Sequence, residues 1–161
     1  MTTIDSIDAD KAVVVHLLDV EHTDAILDLD DRIPSVAGVF CSATQDGKEL
    51  KTVAAAVGRG DPSCGAVGAF IGDRLVGVAS FFPGRATSTA EVALVTMQAH
   101  QDRVAAELMA RLTRLARERG MQRFVLDVAP TNSAMMRWFI ETGYPVVAHK
   151  HNDMARVGVQ L

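Results

Sequence analysis

The clearest pattern of apolar and polar positions along the chain lies between residues 101 and 120. Apolar side chains recur there at intervals of four, four and three residues, and arginine and glutamate residues fill much of the opposite side. This spacing is typical of an amphipathic helix with one buried face. The residues of the apolar stripe are Val104, Leu108, Leu112 and Leu115. Gly120 follows a turn that carries Arg117 and Arg119, so the pattern predicts a long helix closed by a left-handed glycine cap.

A short apolar segment, residues 90–97, precedes this helix, and polar residues 100–103 join the two. The segment predicts a buried strand, and the polar residues predict a tight elbow. At the start of a helix the first backbone N–H groups have no partner within the helix, and the helix dipole adds partial positive charge. The strand, elbow and helix together are therefore a candidate site for an anionic group such as a phosphate.

The remaining pattern predicts one mixed α/β domain behind a polar tail. We expect residues 1–11 to be a flexible N-terminal tail and residues 12–161 to form the domain. A Gly72-Asp73 turn predicts a β-hairpin, and the helical connection after residue 97 predicts a right-handed step to a parallel strand. The buried face of the last helix is predicted to consist of Met135, Met136, Phe139 and Ile140. Further strands are predicted at residues 12–18, 66–71, 75–82, 123–129, 145–148 and 155–160, and further helices at residues 25–33, 45–57 and 131–142.

Composition and charge exclude several classes of function. A formal net charge of −4 over 161 residues argues against a protein that binds nucleic acid by neutralising phosphates. No apolar run is long enough to cross a bilayer, and no basic segment precedes an apolar leader, so a cytoplasmic protein without a membrane partner is expected. Cys41 and Cys64 lack the spacing of a metal site, so we expect free thiols and no bound metal.

Three short motifs carry a resemblance to a known family. They are Leu75-Val76-Gly77-Val78-Ala79, Ala90-Glu91-Val92-Ala93-Leu94-Val95 and Asn132-Ser133-Ala134-Met135-Met136-Arg137-Trp138-Phe139-Ile140-Glu141-Thr142-Gly143-Tyr144. With these motifs in this order, the chain resembles the GCN5-related N-acetyltransferase (GNAT) superfamily. The resemblance implies a single α/β (α+β) domain, with a mixed central sheet of about six to seven strands flanked by about four helices.

The resemblance also implies an acyl-CoA-dependent N-acyltransferase, with acetyl-CoA as co-substrate. The acceptor is expected to be a primary amine, either a protein lysine or a small amine. The acidic segment from Asp19 to Asp31 mildly favours a cationic acceptor. The rival hypothesis is a catalytically impaired domain that acts as an acyl-CoA-binding regulator or as a structural subunit, and a homodimer fits either hypothesis.

The cofactor-binding residues are those implied by the resemblance. The thioester carbonyl is expected to be polarised by a backbone N–H within Val95, Thr96 and Met97, and Asn132 matches a cofactor-contacting asparagine. The family's pyrophosphate signature, Gln/Arg-x-x-Gly-x-Gly/Ala, corresponds here to Gln101, Asp102, Arg103, Val104, Ala105 and Ala106. This loop is degenerate, because Val104 replaces a glycine and Asp102 adds a carboxylate. We expect the Val104 side chain to stand in the approach of the phosphates or to shift the loop, and Asp102 to repel them or to cap the helix.

Glu91 is the candidate catalytic residue. An amine acceptor arrives protonated and needs a base, directly or through water, and the resemblance assigns this role to a glutamate in the central strand. The alternative is a solvated glutamate, or one that pairs with an arginine. Phe139 occupies the position where many family members carry a tyrosine acid, and Tyr144 is expected to pack in the core.

Overall fold

A mixed β-sheet forms the centre of the molecule, and helices lie on both of its faces. The computed structural model describes residues 12–33, 39–41, 49–97, 101–128, 139–151 and 154–161. The elements in chain order are β1 (Val13–Leu17), α1 (Thr23–Arg32), β2 (Val39–Cys41), α2 (Glu49–Gly58), β3 (Gly65–Ile71), β4 (Arg74–Pro83), β5 (Thr89–Thr96), α3 (Gln101–Glu118), β6 (Arg123–Val128), β7 (Val146–His151) and β8 (Met154–Gln160). A 3-10 turn precedes α1, and residues 139–141 are also helical.

The strand order is β1-β3-β4-β5-β6-β8-β7, and β2 pairs with β5 outside this order. Strands β3, β4 and β5 form an antiparallel meander, whereas β5 and β6 are parallel, as the helical crossover through α3 predicts. Strands β7 and β8 form the antiparallel pair expected at the end of the chain. The sequence pattern left residues 34–43 unassigned, and β2 lies among them.

The sheet separates two apolar cores. On one face, the stripe of α3 packs chiefly against β3 and β4 and also against β5, and its four predicted residues are buried: Val104, Leu108, Leu112 and Leu115. On the other face, α1 and α2 pack over β3 and β4 through Ile26, Leu29 and Val53 among others. The alternation along β5 follows this division, because Val92 and Leu94 face α3 while Val95 faces α1 and α2.

The predicted glycine turns are present. Gly72 joins β3 to β4 with φ of 62°, and Gly120 ends α3 with φ of 80°. The Gly120 N–H donates to the Arg117 carbonyl at 3.0 Å, and the Met121 N–H donates to the Ala116 carbonyl at 2.9 Å. Such bonds satisfy carbonyl groups that a helix leaves unpaired at its last turn, so the end of α3 is well defined.

One core prediction is wrong, and others lie outside the described residues. Ile140 is 63% exposed, whereas its neighbour Phe139 is fully buried. Adjacent residues of a helix point about 100° apart, and here Phe139 faces the core while Ile140 faces solvent. The predicted tail, the beginning of the last helix, and Asn132, Met135 and Met136 lie outside the described part of the chain. No helix in the described part is long and apolar enough to span a membrane.

Candidate active site

A gap opens between the two parallel strands at the centre of the sheet. Strands β5 and β6 pair over three positions only, from Thr89 with Arg123 to Glu91 with Val125. Beyond Glu91 the described residues of β5 no longer pair with β6, although β5 continues to Thr96 beside β4. Part of this free edge is covered by β2, which pairs Val39 with Val95 and Cys41 with Leu94. Glu91 therefore marks the point where the two strands diverge.

The backbone direction at the end of β5 distinguishes among the three residues predicted to polarise a carbonyl. The Met97 N–H donates to the Val76 carbonyl of β4 at 2.9 Å, so it is already used within the sheet. Backbone N–H groups of successive strand residues point to opposite neighbours, and the register between β4 and β5 runs without a bulge. The N–H groups of Val95 and Met97 therefore face β4, and that of Thr96 faces the opposite edge, where β2 pairs with Val95. The Thr96 hydroxyl oxygen is also buried without a hydrogen-bond partner among the described residues.

Helix α3 begins close to the end of β5. Gln101, Asp102 and Arg103 are helical and belong to the first turn of α3 that the structure describes. Asp102 is therefore not the N-cap residue, which corrects one of the two expectations for its carboxylate. The first-turn N–H groups have no partner within the helix, and this end of α3 can bind an anionic group.

Val104 lies on the inner side of that helix end, as its place in the apolar stripe predicts, and its effect on the approach of phosphates stays a prediction. Its side chain is fully buried and belongs to the core between α3 and the sheet. A Cβ atom built on Gly77 of β4 would lie 3.4 Å from Val104 Cγ2, which shows how closely this side chain approaches the strand. Ala105 and Ala106 follow as partly buried residues. The valine therefore contributes to packing on the inner side of the helix.

Glu91 lies on the face of the sheet that α1 and α2 cover further along, beside two charged residues of neighbouring strands. Arg156 of β8 places Nη2 3.8 Å from Glu91 Oε1 and Nη1 3.8 Å from Asp127 Oδ1 of β6. This arrangement agrees with the alternative that Glu91 pairs with an arginine. However, 3.8 Å is longer than a hydrogen bond, and the Glu91 side chain is 36% exposed, so its oxygens remain available to water or substrate.

A pocket of about 310 Å³ opens beside Glu91. Its floor includes Val125 and Gly158, which lie in one row with Glu91 because Glu91 pairs with Val125 and Val125 pairs with Gly158. The turn between β4 and β5 contributes Gly84, Arg85 and Ala86 to the rim. The remaining lining residues are Thr89, Arg123, His149 and Arg156.

The charged neighbours of Glu91 were not predicted from the sequence. Asp127 and Arg156 are charged residues within otherwise apolar strands, as Glu91 is, and this is the signal that could have found them. Arg123 begins β6 and gave no such signal. Of the predicted residues, Glu91, Val95, Thr96 and Met97 lie along the gap, and residues 101–106 form the start of α3. Asn132 lies outside the described residues.

Comparison with known proteins gives matches to both a family model and solved structures. The model of the acetyltransferase (GNAT) family matches residues 25–144. The GNAT domain of S. lividans PAT is 22% identical with a TM-score of 0.71, over 94% of this chain and 97% of that one. YncA, a putative acetyltransferase of Salmonella typhimurium determined with its cofactor acetyl-CoA, is 18% identical with a TM-score of 0.68, over 93% of each chain.

A third similar structure is the PaiA N-acetyltransferase of Thermoplasma acidophilum in complex with coenzyme A. It is 12% identical with a TM-score of 0.65, over 93% of this chain and 99% of that one. A search of curated protein sequences found no match. The family model covers most of the chain, and the sheet order, the gap beside β5 and the helix that follows it agree with that match. The chain belongs to the GNAT family of acetyltransferases.

Proposed function

We propose that this protein is an N-acetyltransferase that transfers the acetyl group of acetyl-CoA to a primary amine. The observation that carries the proposal is the divergence of β5 and β6 at Glu91, which puts a carboxylate at the mouth of a gap between strands. Two structures with the same fold were determined with coenzyme A or acetyl-CoA, which supports acetyl-CoA as the donor. Family membership supports the reaction class.

The donor would be held by backbone groups at the end of β5 and the start of α3. The Thr96 N–H is the best candidate to polarise the thioester carbonyl, because the neighbouring Met97 N–H is bonded to Val76. Val95 and Met97 would line the acyl group on either side of Thr96. The first turn of α3 would bind the pyrophosphate through its unpaired N–H groups. That turn and the residues after it are Gln101, Asp102, Arg103, Val104, Ala105 and Ala106, and Asn132 is proposed as a further contact.

Glu91 would act as the general base. The acceptor nitrogen forms a bond to the acyl carbon, the carbon–sulfur bond breaks, and the amine proton passes to Glu91 directly or through water. The proximity of Arg156 keeps the carboxylate oriented without occupying it fully, since the two groups are 3.8 Å apart. Phe139 is buried and has no proton to donate, so the thiolate leaves without an acid from that position.

The second candidate is a regulator that binds an acyl-CoA without turnover. Asp102 favours this function, because a carboxylate in the first turn of α3 competes with a phosphate for the same positive end of the helix. Phe139 favours it as well, because its ring packs at 6.3 Å from the Tyr144 ring in an edge-on arrangement that is typical of a core contact.

Isothermal titration with acetyl-CoA, followed by a thiol-release assay on a panel of primary amines, separates these functions. Binding with amine-dependent thiol release supports the acetyltransferase. Binding without release from any amine supports the regulator. If acetyl-CoA does not bind at all, both proposals are wrong and a structural role remains.

A further inference from the structure

The pocket beside Glu91 contains more positive than negative charge. Three arginines line it, and Glu91 is its single carboxylate among the lining residues. We infer that this pocket binds the anionic group of the acceptor, and that the acceptor is an amine which also carries a carboxylate or a phosphate. The inference rests on the proposed function, because it assigns the acceptor's amine to Glu91 and its anionic group to Arg123 and Arg85.

The floor of the pocket is shaped to hold the Arg123 side chain in place. Gly158 has no side chain, and a Cβ built there would lie 3.1 Å from Arg123 Cζ. The guanidinium of Arg123 therefore lies over Gly158, in the row that continues through Val125 to Glu91. Strands in a sheet are about 5 Å apart, so this guanidinium lies on the order of 10 Å across the sheet from the backbone of Glu91. A small molecule can span that distance.

Two of the three guanidinium groups have no partner within the part of the chain that the structure describes. Arg156 is placed between Glu91 and Asp127, at 3.8 Å from each. The guanidinium groups of Arg85 and Arg123 make neither a hydrogen bond nor an ion pair with described residues. A guanidinium presents two parallel N–H groups that match the geometry of a carboxylate or phosphate. Arg85 and Arg123 are thus available to an anion that enters the pocket.

The acidic residues that favoured a cationic acceptor do not lie in the pocket. Asp28 pairs with Arg32 at 2.9 Å, and Asp30 lies 4.0 Å from Lys51. No residue of α1 lines the pocket. The charge closest to the proposed base is therefore that of the arginines, and a second positive charge on the acceptor would be repelled there.

The test compares amines of matched length in the thiol-release assay at saturating acetyl-CoA. γ-Aminobutyrate is compared with butylamine and 1,4-diaminobutane, and O-phosphoethanolamine with ethanolamine. We expect kcat/KM for the amine that carries a carboxylate or phosphate to exceed that of its partner without an anionic group by about tenfold or more, as for a charged hydrogen bond. Arg123→Gln should reduce this ratio to about threefold or less, and Arg114→Gln, on the exposed side of α3, should leave it unchanged. Arg85→Gln repeats the test if Arg123→Gln does not fold.

A second measurement is independent of turnover. Inorganic phosphate is titrated calorimetrically into the wild type and Arg123→Gln, and we expect about tenfold weaker binding to the variant. If the amines without an anionic group react as fast as those with a carboxylate or phosphate, the inference is wrong while the proposed function stands. If no amine releases thiol but phosphate binding depends on Arg123, the proposed function fails while the anion site is supported. Equal phosphate binding by both proteins would overturn the anion site.

Discussion

At the scale of single residues, the proposed chemistry depends on the Glu91 carboxylate. Glu91→Gln keeps the shape of the side chain but removes its ability to accept a proton. We expect turnover to fall by about tenfold or more, with acetyl-CoA affinity nearly unchanged, because Glu91 does not belong to the proposed donor site. Steady-state kinetics and calorimetric titration of the same preparation measure the two quantities.

The matched comparison is Asp127→Asn, because Asp127 shares Arg156 with Glu91 and its Oδ1 atom is buried without a hydrogen bond among the described residues. This substitution removes a carboxylate from the same cluster but not from the mouth of the gap. We expect a smaller loss of turnover than for Glu91→Gln. If Asp127→Asn is the slower variant, the base has been assigned to the wrong carboxylate.

For Val104, the family's pyrophosphate pattern and the structure predict opposite effects of a glycine substitution. The family pattern suggests that glycine at this position would strengthen acetyl-CoA binding. Because the valine is fully buried, we expect Val104→Gly to lower the free energy of unfolding by about 3 kcal/mol, and not to improve binding. Urea unfolding and calorimetric titration check both parts.

The control for that experiment is Ala110→Gly, an exposed position of the same helix, which measures the cost of glycine in a helix alone, about 1 kcal/mol. The loss in free energy of unfolding for Val104→Gly beyond that for Ala110→Gly measures the packing that the Val104 side chain contributes. A gain in acetyl-CoA affinity with little loss of stability would mean that the side chain does obstruct the phosphates.

At the scale of elements, β2 occupies the edge of β5 that an acyl chain would use. It pairs with Leu94 and Val95, directly before Thr96. An acyl chain that approaches the Thr96 N–H along this edge has to displace β2. We therefore expect acetyl-CoA to accelerate amide hydrogen exchange in residues 39–41, while exchange in the paired strands β3 and β4 stays unchanged. Unchanged or slower exchange in residues 39–41 would mean that the donor binds without moving β2.

The secondary structure of most described elements follows from the sequence because it depends on local patterns. The stripe of α3 and the glycines at its end and in the β3–β4 turn each act over a few residues, and they predict the elements that the structure contains. The burial of Val104 follows from its place in the stripe of α3, whereas the family's pyrophosphate pattern taken alone places a residue of the loop there. Ile140 illustrates a limit of such patterns, since two adjacent apolar residues leave the buried one undecided.

At the scale of the whole molecule, the candidate site is assembled from parts that are distant in sequence. Glu91 comes from β5, Asp127 from β6, and Arg156 from β8, and only the order of strands brings them together. Each of these charges lies within an otherwise apolar strand, but no pattern within a single strand places the three side by side. Gly158 leaves room for the Arg123 side chain at the floor of the pocket, and the sequence of a single strand does not reveal this contact.

The core on the α1 and α2 face contains a titratable group, and it makes global stability depend on pH. Cys64 is a free thiol that is 7% exposed, next to a backbone carbonyl that accepts a hydrogen bond from Arg119 at 2.8 Å. Burial, with a smaller contribution from the nearby Asp61 charge, raises the pKa of the Cys64 thiol to about 11. In the unfolded chain the thiol loses its proton at about pH 8.5.

Because the folded state holds this proton more tightly, its contribution to stability is complete below about pH 8.5 and is lost as the pH rises towards 11. We expect the difference in free energy of unfolding between the wild type and Cys64→Ala to be constant from pH 6 to 8 and then to shift steadily against the wild type. Urea unfolding of both proteins at each pH measures this difference, and the subtraction removes the pH dependence that the two proteins share. A difference that stays constant to pH 11 would mean that the Cys64 thiol ionises as readily in the folded protein as in the unfolded chain.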